Sequence, residues 1–391
     1  MRKFYLVMAI FLAALNLRPI ITSVAPLLET LQSELGISGL TASLLTTLPV
    51  LCMGFFAPAA TALSDRFGLE RTIFIALCLI TGASALRGIV SSVMILVATA
   101  LAGGIGVSLA GPLLSGFVKK YFPTRPGVVS IYSASMIVGA GLASALAIPV
   151  YQSSRHSLAL TLSCWAIFGV IALFVWAAFL RNGQAGKEGR ARTHLPVRNR
   201  SALLLTLFFG MMACMFYSVT AWISPMAHSF GYDPAASAML LTVFTLVQIP
   251  ISLTVPALVA RFGNRRFFLV MCSVFELIGV TLLLLRLPML PAVICLGIGA
   301  GGLFPLALML PIVETNTSEE AGAWSAMSQC GGYIIGAMGP LLIGTIHDYS
   351  GSFMPALIVM LVITAVMIGV QLLITGEKKA VVDVKPAADF S

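Results

Sequence analysis

A handful of polar and ionisable side chains stand inside stretches otherwise built from apolar residues, and their chemistry sets the first expectations. Arg18 falls about midway along such a stretch, in the segment Leu15 to Ile21, next to Asn16 and Pro19. A buried guanidinium is costly unless a cavity, water or a partner satisfies it. Its planar donor fork suits an anion or another acceptor-rich solute, with an internal hydrogen-bond node as the structural alternative. Asn16 is placed to orient it, and Pro19 to loosen the helix around it. Tyr217, Gln248, Gln329 and Trp222 supply further polar or aromatic groups in apolar runs and complete the candidate solute-contacting set. Phe216, Tyr132 and Tyr333 are candidate aromatic walls, with ordinary packing as the default reading. Glu276 is expected to pair structurally with an arginine, the alternative being a carrier of a coupling proton. Arg87 lies nearer the end of its run and is a candidate coupling or structural charge, with snorkelling as the plainer reading.

These residues assemble into no recognisable catalytic or metal-binding pattern. The seven cysteines all lie in apolar runs without a CxxC pair, and the four histidines are scattered, so they read as neither a disulfide framework nor a metal site. The glycine-rich runs lack the GK[ST] ending of a nucleotide loop, and no HExxH occurs. No enzyme and no cofactor is therefore expected. A membrane enzyme and a membrane receptor are the non-transporting alternatives, each lacking its usual clusters or signalling domain. Charged residues make up only 9% of the chain and hydrophobic residues 59%. A water-facing surface needs roughly a quarter charged residues. The net charge of +9 sits in short clusters between apolar runs rather than on one soluble face, which argues against nucleic acid.

The elements that must carry these residues follow from run length. A bilayer crossing takes about 20 apolar residues. Runs of that size lie near 4–30, 40–63, 71–90, 93–117, 127–149 and 157–180, then 201–226, 235–258, 267–287, 289–313, 322–346 and 352–375. The first is long enough to read as a membrane span rather than a signal peptide. The predicted fold is an all-α membrane protein with twelve transmembrane helices in two pseudo-symmetric six-helix bundles. The expected boundaries are an N-terminal bundle at 1–180, a linker at 181–200, a C-terminal bundle at 201–376 and a short tail at 377–391. With both termini in the cytoplasm, 19 of the 23 lysines and arginines fall on the cytoplasmic side, in clusters at Arg2–Lys3, Arg66–Arg71, Lys119–Arg125, Arg181–Arg200, Arg261–Arg266 and Lys378–Lys385. The positive-inside rule selects that orientation.

Four short echoes recur in the same order in both halves. SDRFG at 64–68 matches VARFG at 259–263, and AGGIGVSLAGPL at 102–113 resembles LGIGAGGLFPL at 296–306. VAPLL at 24–28 resembles ISPMA at 223–227, and SIYSAS at 130–135 aligns with SAMSQC at 325–330. Such internal duplication is the architecture of many secondary transporters. The small residues of these segments let helices approach closely or move along one another.

The segment TALSDRFGLER at 61–71 resembles the loop signature of the major facilitator superfamily. Asp65, Arg66, Gly68 and Arg71 match its characteristic positions. Thr61 replaces its usual first glycine, and Leu69 and Glu70 stand where basic residues are common. The chemistry of this loop fits a gating role for those four residues, with Asp65 as a latch that accepts charge-assisted hydrogen bonds; the alternative is a solvated loop whose Arg66 and Arg71 only fix topology. The segments at 15–28, 43–68, 85–88 and 104–123 are similar to the cyanate porter branch, which includes nitroimidazole exporters. What the resemblance implies is two six-helix bundles around one central route in a bacterial inner membrane. The expected function is alternating-access secondary transport, either of a small anion such as cyanate or of a neutral nitroimidazole-like compound exported against protons. The expected partners are the small solute, protons and the lipid bilayer, with the chain working as a monomer.

Overall fold

The computed structural model describes residues 2–36, 39–89, 92–123, 128–181 and 195–374. Most of the predicted linker and all of the predicted tail lie outside the described residues, with Arg125, Lys187, Arg190, Arg192, Lys378, Lys379 and Lys385. Among the described residues all regular structure is helical. Eleven helices are long and apolar enough to cross a membrane, and a bent pair makes a twelfth span. In chain order the spans are Phe4–Leu27, the pair Thr47–Phe55 and Ala57–Phe67, Leu69–Ile89, Val93–Tyr121, Val128–Ser153 and Leu158–Leu180. The second six are Arg200–Ser229, Met239–Phe262, Arg265–Leu284, Met289–Glu314, Ser318–Ser350 and Met354–Ile374. The chain is thus an all-α membrane protein with the two-bundle arrangement expected from its sequence. We refer to spans 1 to 12, and to the side carrying the 2–3 loop, the 8–9 loop and Asn199 as the linker face.

Two spans are broken where the sequence suggested continuous helices. Span 1 is helical over Arg2–Leu15, turns through Asn16 to Arg18, and resumes as the single turn Pro19–Thr22 and the 3-10 turn Ala25–Leu27. Pro19 has no backbone N–H to offer the preceding turn, and it starts the new helix at the position where that donor is not needed. Span 2 bends by 55° at Phe56, next to Pro58 at the start of its second helix. Pro49 in the same span stays within the helix, its backbone packed against Gly104 of span 4.

Glycines set the closest approaches. A Cβ at Gly139 of span 5 would lie 2.2 Å from the Leu15 carbonyl oxygen, so only glycine lets span 5 press against the break in span 1. Gly68 ends span 2 and begins span 3 at φ 90° and ψ 153°, a region that only glycine occupies readily. Its counterpart Gly263 ends span 8 at φ 72° and ψ −9°. Arg66 lies over Phe67 and Arg261 over Phe262 in matching fashion.

The halves meet most tightly toward the linker face. Residues 103–118 of span 4 are almost all buried, as are 299–312 of span 10 and 321–329 of span 11. A Cβ at Gly116 of span 4 would lie 2.9 Å from the Ser318 carbonyl oxygen at the start of span 11. Lys119 crosses between the halves, its ammonium donating to the carbonyls of Ile312 at 2.9 Å and Thr315 at 2.6 Å. These are the last carbonyls of span 10, where a cation is favoured by the helix end. Beside it, Lys120 pairs with the buried Glu70 at 3.0 Å, and the Tyr121 hydroxyl donates to the same carboxylate.

Candidate solute site at the break in span 1

The break at Asn16–Arg18 puts Arg18 at the head of the short Pro19–Thr22 helix, where its side chain leaves span 1 toward the opposite half. The guanidinium lies over the Phe304 ring of span 10, 5.5 Å from its centroid. The hydroxyls of Tyr217 on span 7 and Tyr333 on span 11 lie beside it, and Tyr132 of span 5 is within electrostatic range. Among the described residues no carboxylate pairs with Arg18. Arg18, Tyr217 and Phe304 keep partial exposure in a layer whose other side chains are mostly buried. They therefore meet where the two halves face each other.

The break is held from three sides. The Asn16 amide donates to the Leu12 carbonyl at 2.7 Å and to the Phe168 carbonyl of span 6 at 3.1 Å. Asn16 thus acts on Arg18 through the backbone rather than by touching its side chain. Arg87 is only 1% exposed and does not snorkel. Its Nη1 donates to the Ile20 carbonyl at 2.8 Å, and its Nε to the Thr99 hydroxyl of span 4 at 3.3 Å. The Ile20 side chain fills the space left by Gly103, where a Cβ would lie 2.1 Å from its Cδ1. A charged donor bound to a carbonyl contributes about 1.5–3 kcal/mol. Arg87 and Asn16 together supply bonds that the broken backbone has lost.

Gln329 joins the site from span 11. It is 4% exposed, and its Nε2 has no partner. Its Oε1 lies 2.8 Å from a Cβ built at Gly111, which places it beside the Tyr132 hydroxyl that donates to the Gly111 carbonyl. The Tyr217 hydroxyl is likewise buried without a hydrogen-bond partner of its own. The groups converging on the centre are thus mainly donors: the guanidinium, a phenol and an amide.

Three other sequence candidates stand apart. Trp222 donates from its indole to the Pro340 carbonyl at 2.9 Å and packs with His347 and Phe353. Gln248 turns its amide back onto the Phe244 carbonyl of its own helix at 3.0 Å and packs against Gly301. Glu276 is buried in span 9, and no arginine pairs with it among the described residues. The expected Glu276–arginine pair is therefore corrected: span 9 brings this carboxyl against Gly299 of span 10, and no guanidinium pairs with it among the described residues. Phe304 and Lys119 carry contacts that sequence reasoning did not single out. A Phe in an apolar span looks like packing, and Lys119 looks like a topological charge. A polar cavity of about 550 Å³ opens at the linker face between Asn199, Arg265, Glu314, Glu320 and Trp324, distinct from the Arg18 cluster.

Comparison with known proteins places this geometry in a family. The model of the Major Facilitator Superfamily matches residues 6–337 and, again, 203–389. The cyanate transport protein CynX of Escherichia coli is 33% identical over 356 residues, covering 89% of this chain and 91% of that protein. The uncharacterized transporter YycB of Bacillus subtilis is 30% identical over 374 residues, covering 94% and 92%. The 2-nitroimidazole transporter of E. coli is 30% identical over 361 residues, covering 90% of each. Among solved structures, FucP in the outward conformation superposes with a TM-score of 0.78 at 14% identity, over 94% of this chain and 98% of FucP. The human organic anion transporter MFSD10 gives 0.77 at 14% identity, over 95% and 100%. The twelve-span fold and the full-length relatives together show that the chain belongs to the major facilitator superfamily, as a secondary active transporter that moves a small solute by alternating access.

Proposed function

We propose that the solute is a small anion, bound at mid-membrane by Arg18 with Tyr217 and Gln329. The observation that carries this reading is the convergence of a guanidinium, a phenol and an orphaned amide without a carboxylate partner. An acceptor-rich anion would complete all three, whereas a cation would meet the fixed positive charge of Arg18. Tyr132 and Tyr333 orient the guanidinium, and Arg87 and Asn16 hold the backbone that presents it. Trp222 and Gln248 act through packing. The similarity to a cyanate transport protein supports a cyanate-like substrate. A second reading, a neutral nitroaromatic compound moved in exchange for protons, is favoured by the partly exposed Phe304 ring and by the similarity to a 2-nitroimidazole transporter.

The protein works as a monomer in a bacterial inner membrane with both termini in the cytoplasm, and the two bundles, 1–180 and 201–376, rock about the site. In that orientation the contacts at the linker face support an outward-facing arrangement. Asp65, Arg66, Gly68 and Arg71 belong to the gate that keeps that face shut, with Lys119 as a further latch. Counterflow into proteoliposomes tests the solute. Labelled cyanate should exchange in a protein-dependent way, and other small monovalent anions should compete. Exchange of 2-nitroimidazole without any anion effect would favour the second reading, and flux of neither would overturn both.

A further inference from the structure

The two halves build the same seam from different chemistry. In the N-terminal half, Gly106 of span 4 faces span 3: a Cβ there would lie 2.7 Å from Ile80 Cγ1 and 2.9 Å from the Ala76 carbonyl oxygen. In the C-terminal half, Gly299 of span 10 faces span 9: a Cβ there would lie 2.2 Å from Glu276 Cγ and 2.7 Å from the Cys272 carbonyl oxygen. Each glycine receives one side chain and the carbonyl one turn before it. Ile80 and Glu276 are therefore structural equivalents. An apolar side chain is sufficient to pack this seam, yet the C-terminal copy holds a carboxyl that is 2% exposed.

That carboxyl is poorly compensated. Glu276 Oε2 is buried without a hydrogen-bond partner. Cys272 lies one turn away on its own helix, and Cys295 of span 10 lies one turn from Gly299. Span 12, which also packs on span 9, carries no titratable residue over Met354–Ile374 and contributes Gln371, whose amide donates to Ser273 at 2.7 Å. The charged residues of the neighbouring elements, Arg265 and Arg266 of span 9, Arg261 of span 8 and Glu314 of span 10, stand at the linker face. Arg266 is ten residues along the helix, about 15 Å away. Leaving a lone carboxylate in such a place costs far more than leaving a neutral carboxylic acid as an unpaired polar group.

We propose that Glu276 is a proton-binding site in the seam between spans 9 and 10, and that loading it favours the packing of that seam found here. The step is a simple protonation: the carboxylate takes a proton from hydronium, giving a carboxylic acid and water. Span 10 places Phe304 against Arg18 and Gly299 against Glu276, so one helix touches both the proton site and the solute site. Release of the proton would leave an uncompensated charge and loosen span 9 from span 10. This adds a proton site to the alternating-access transport described above, and it does not depend on which of the two solute readings holds.

The test uses the full chain in lipid nanodiscs with no solute added, so that its failure is separable from failure of the Arg18 reading. Infrared difference spectra across pH should show a buried protonated-carboxyl band in the unaltered protein, and Glu276→Gln should remove it. Distance labels at exposed positions 67 and 262, carried by non-natural amino acids so that Cys272 stays in place, report opening of the linker face. Without substitution at Glu276, the closed-to-open ratio should fall by up to about tenfold per pH unit as the site deprotonates. The Gln variant, a permanent mimic of the loaded site, should stay closed at every pH. Absence of the band, its persistence in the Gln variant, or a pH-independent distance distribution without substitution at Glu276 would each overturn the proposal. The measurements at an unaltered Glu276 decide even if the Gln variant fails to fold.

Discussion

At the scale of single residues, Arg18 differs from the other intramembrane cation by what it lacks. Arg87 donates from Nη1 to the Ile20 carbonyl and from Nε to the Thr99 hydroxyl, with Nη2 left unpartnered, so two of its three nitrogens are engaged by the fold. Arg18 lies against an aromatic ring and phenols, with no anion to neutralise it. On the reading proposed above, its charge meets the solute, while that of Arg87 holds the backbone that presents it. The two arginines should respond differently to substitution. Arg18→Lys keeps the charge and loses the planar fork, so it should weaken anion binding while the protein folds. Arg18→Ala should weaken it further, by tenfold or more, about 1.4 kcal/mol. Arg87→Ala should instead lower folded yield, because it deprives a broken helix of its donor. Binding measured on purified, monodisperse variants separates the two, and near-normal affinity in Arg18→Ala would remove it from the site.

At the scale of elements, the linker-face closure rests on helix ends. Lys119 supplies two donors from span 4 to the last carbonyls of span 10, so its bonds exist only while the halves are together. A contact made in one state alone shifts the equilibrium between states by its own free energy. Charge-assisted bonds of this kind contribute about 1.5–3 kcal/mol. Lys119→Gln should therefore raise the fraction open at the linker face by about tenfold or more, read as the distance between labels at 67 and 262. An unchanged distribution would show that packing around Gly116 suffices. How far such elements can be read from sequence depends on what decides them. Length and apolarity decide the spans, and both are local, so twelve runs are visible directly. The break in span 1 is signalled by Pro19, but the bend at Phe56 is not, because Pro58 breaks its span while Pro49 does not. The difference lies in Gly104, which makes room for Pro49 from another helix. Arg18, Tyr217 and Gln329 are visible as polar residues in apolar runs. Asn16, Gln248 and Trp222 carry the same signal and face elsewhere, since the direction of a side chain is set by neighbours distant in sequence.

At the scale of the whole molecule, the asymmetry of charge bears on the orientation proposed above. Arg66, Arg71, Lys119, Lys120, Arg198, Arg200, Arg261, Arg265 and Arg266 all gather at the linker face. Arg155 and Arg286 lie in turns at the opposite face. A cytoplasmic excess of lysine and arginine orients multi-pass proteins, so the linker face should be the cytoplasmic one. Under the orientation proposed above, the Lys119 contact would close the cytoplasmic side. Two exposed positions on opposite faces test it. Arg198 lies beside Asn199, which caps the start of span 7 at the linker face, and Tyr349 is 90% exposed near the far end of span 11. In a background without the native cysteines, Tyr349→Cys should react with an impermeant thiol reagent added to intact cells. Arg198→Cys should react only after the membrane is opened. The reverse pattern would invert the molecule in its membrane and turn this outward-facing arrangement into an inward-facing one, while leaving the geometry of the Arg18 site unchanged.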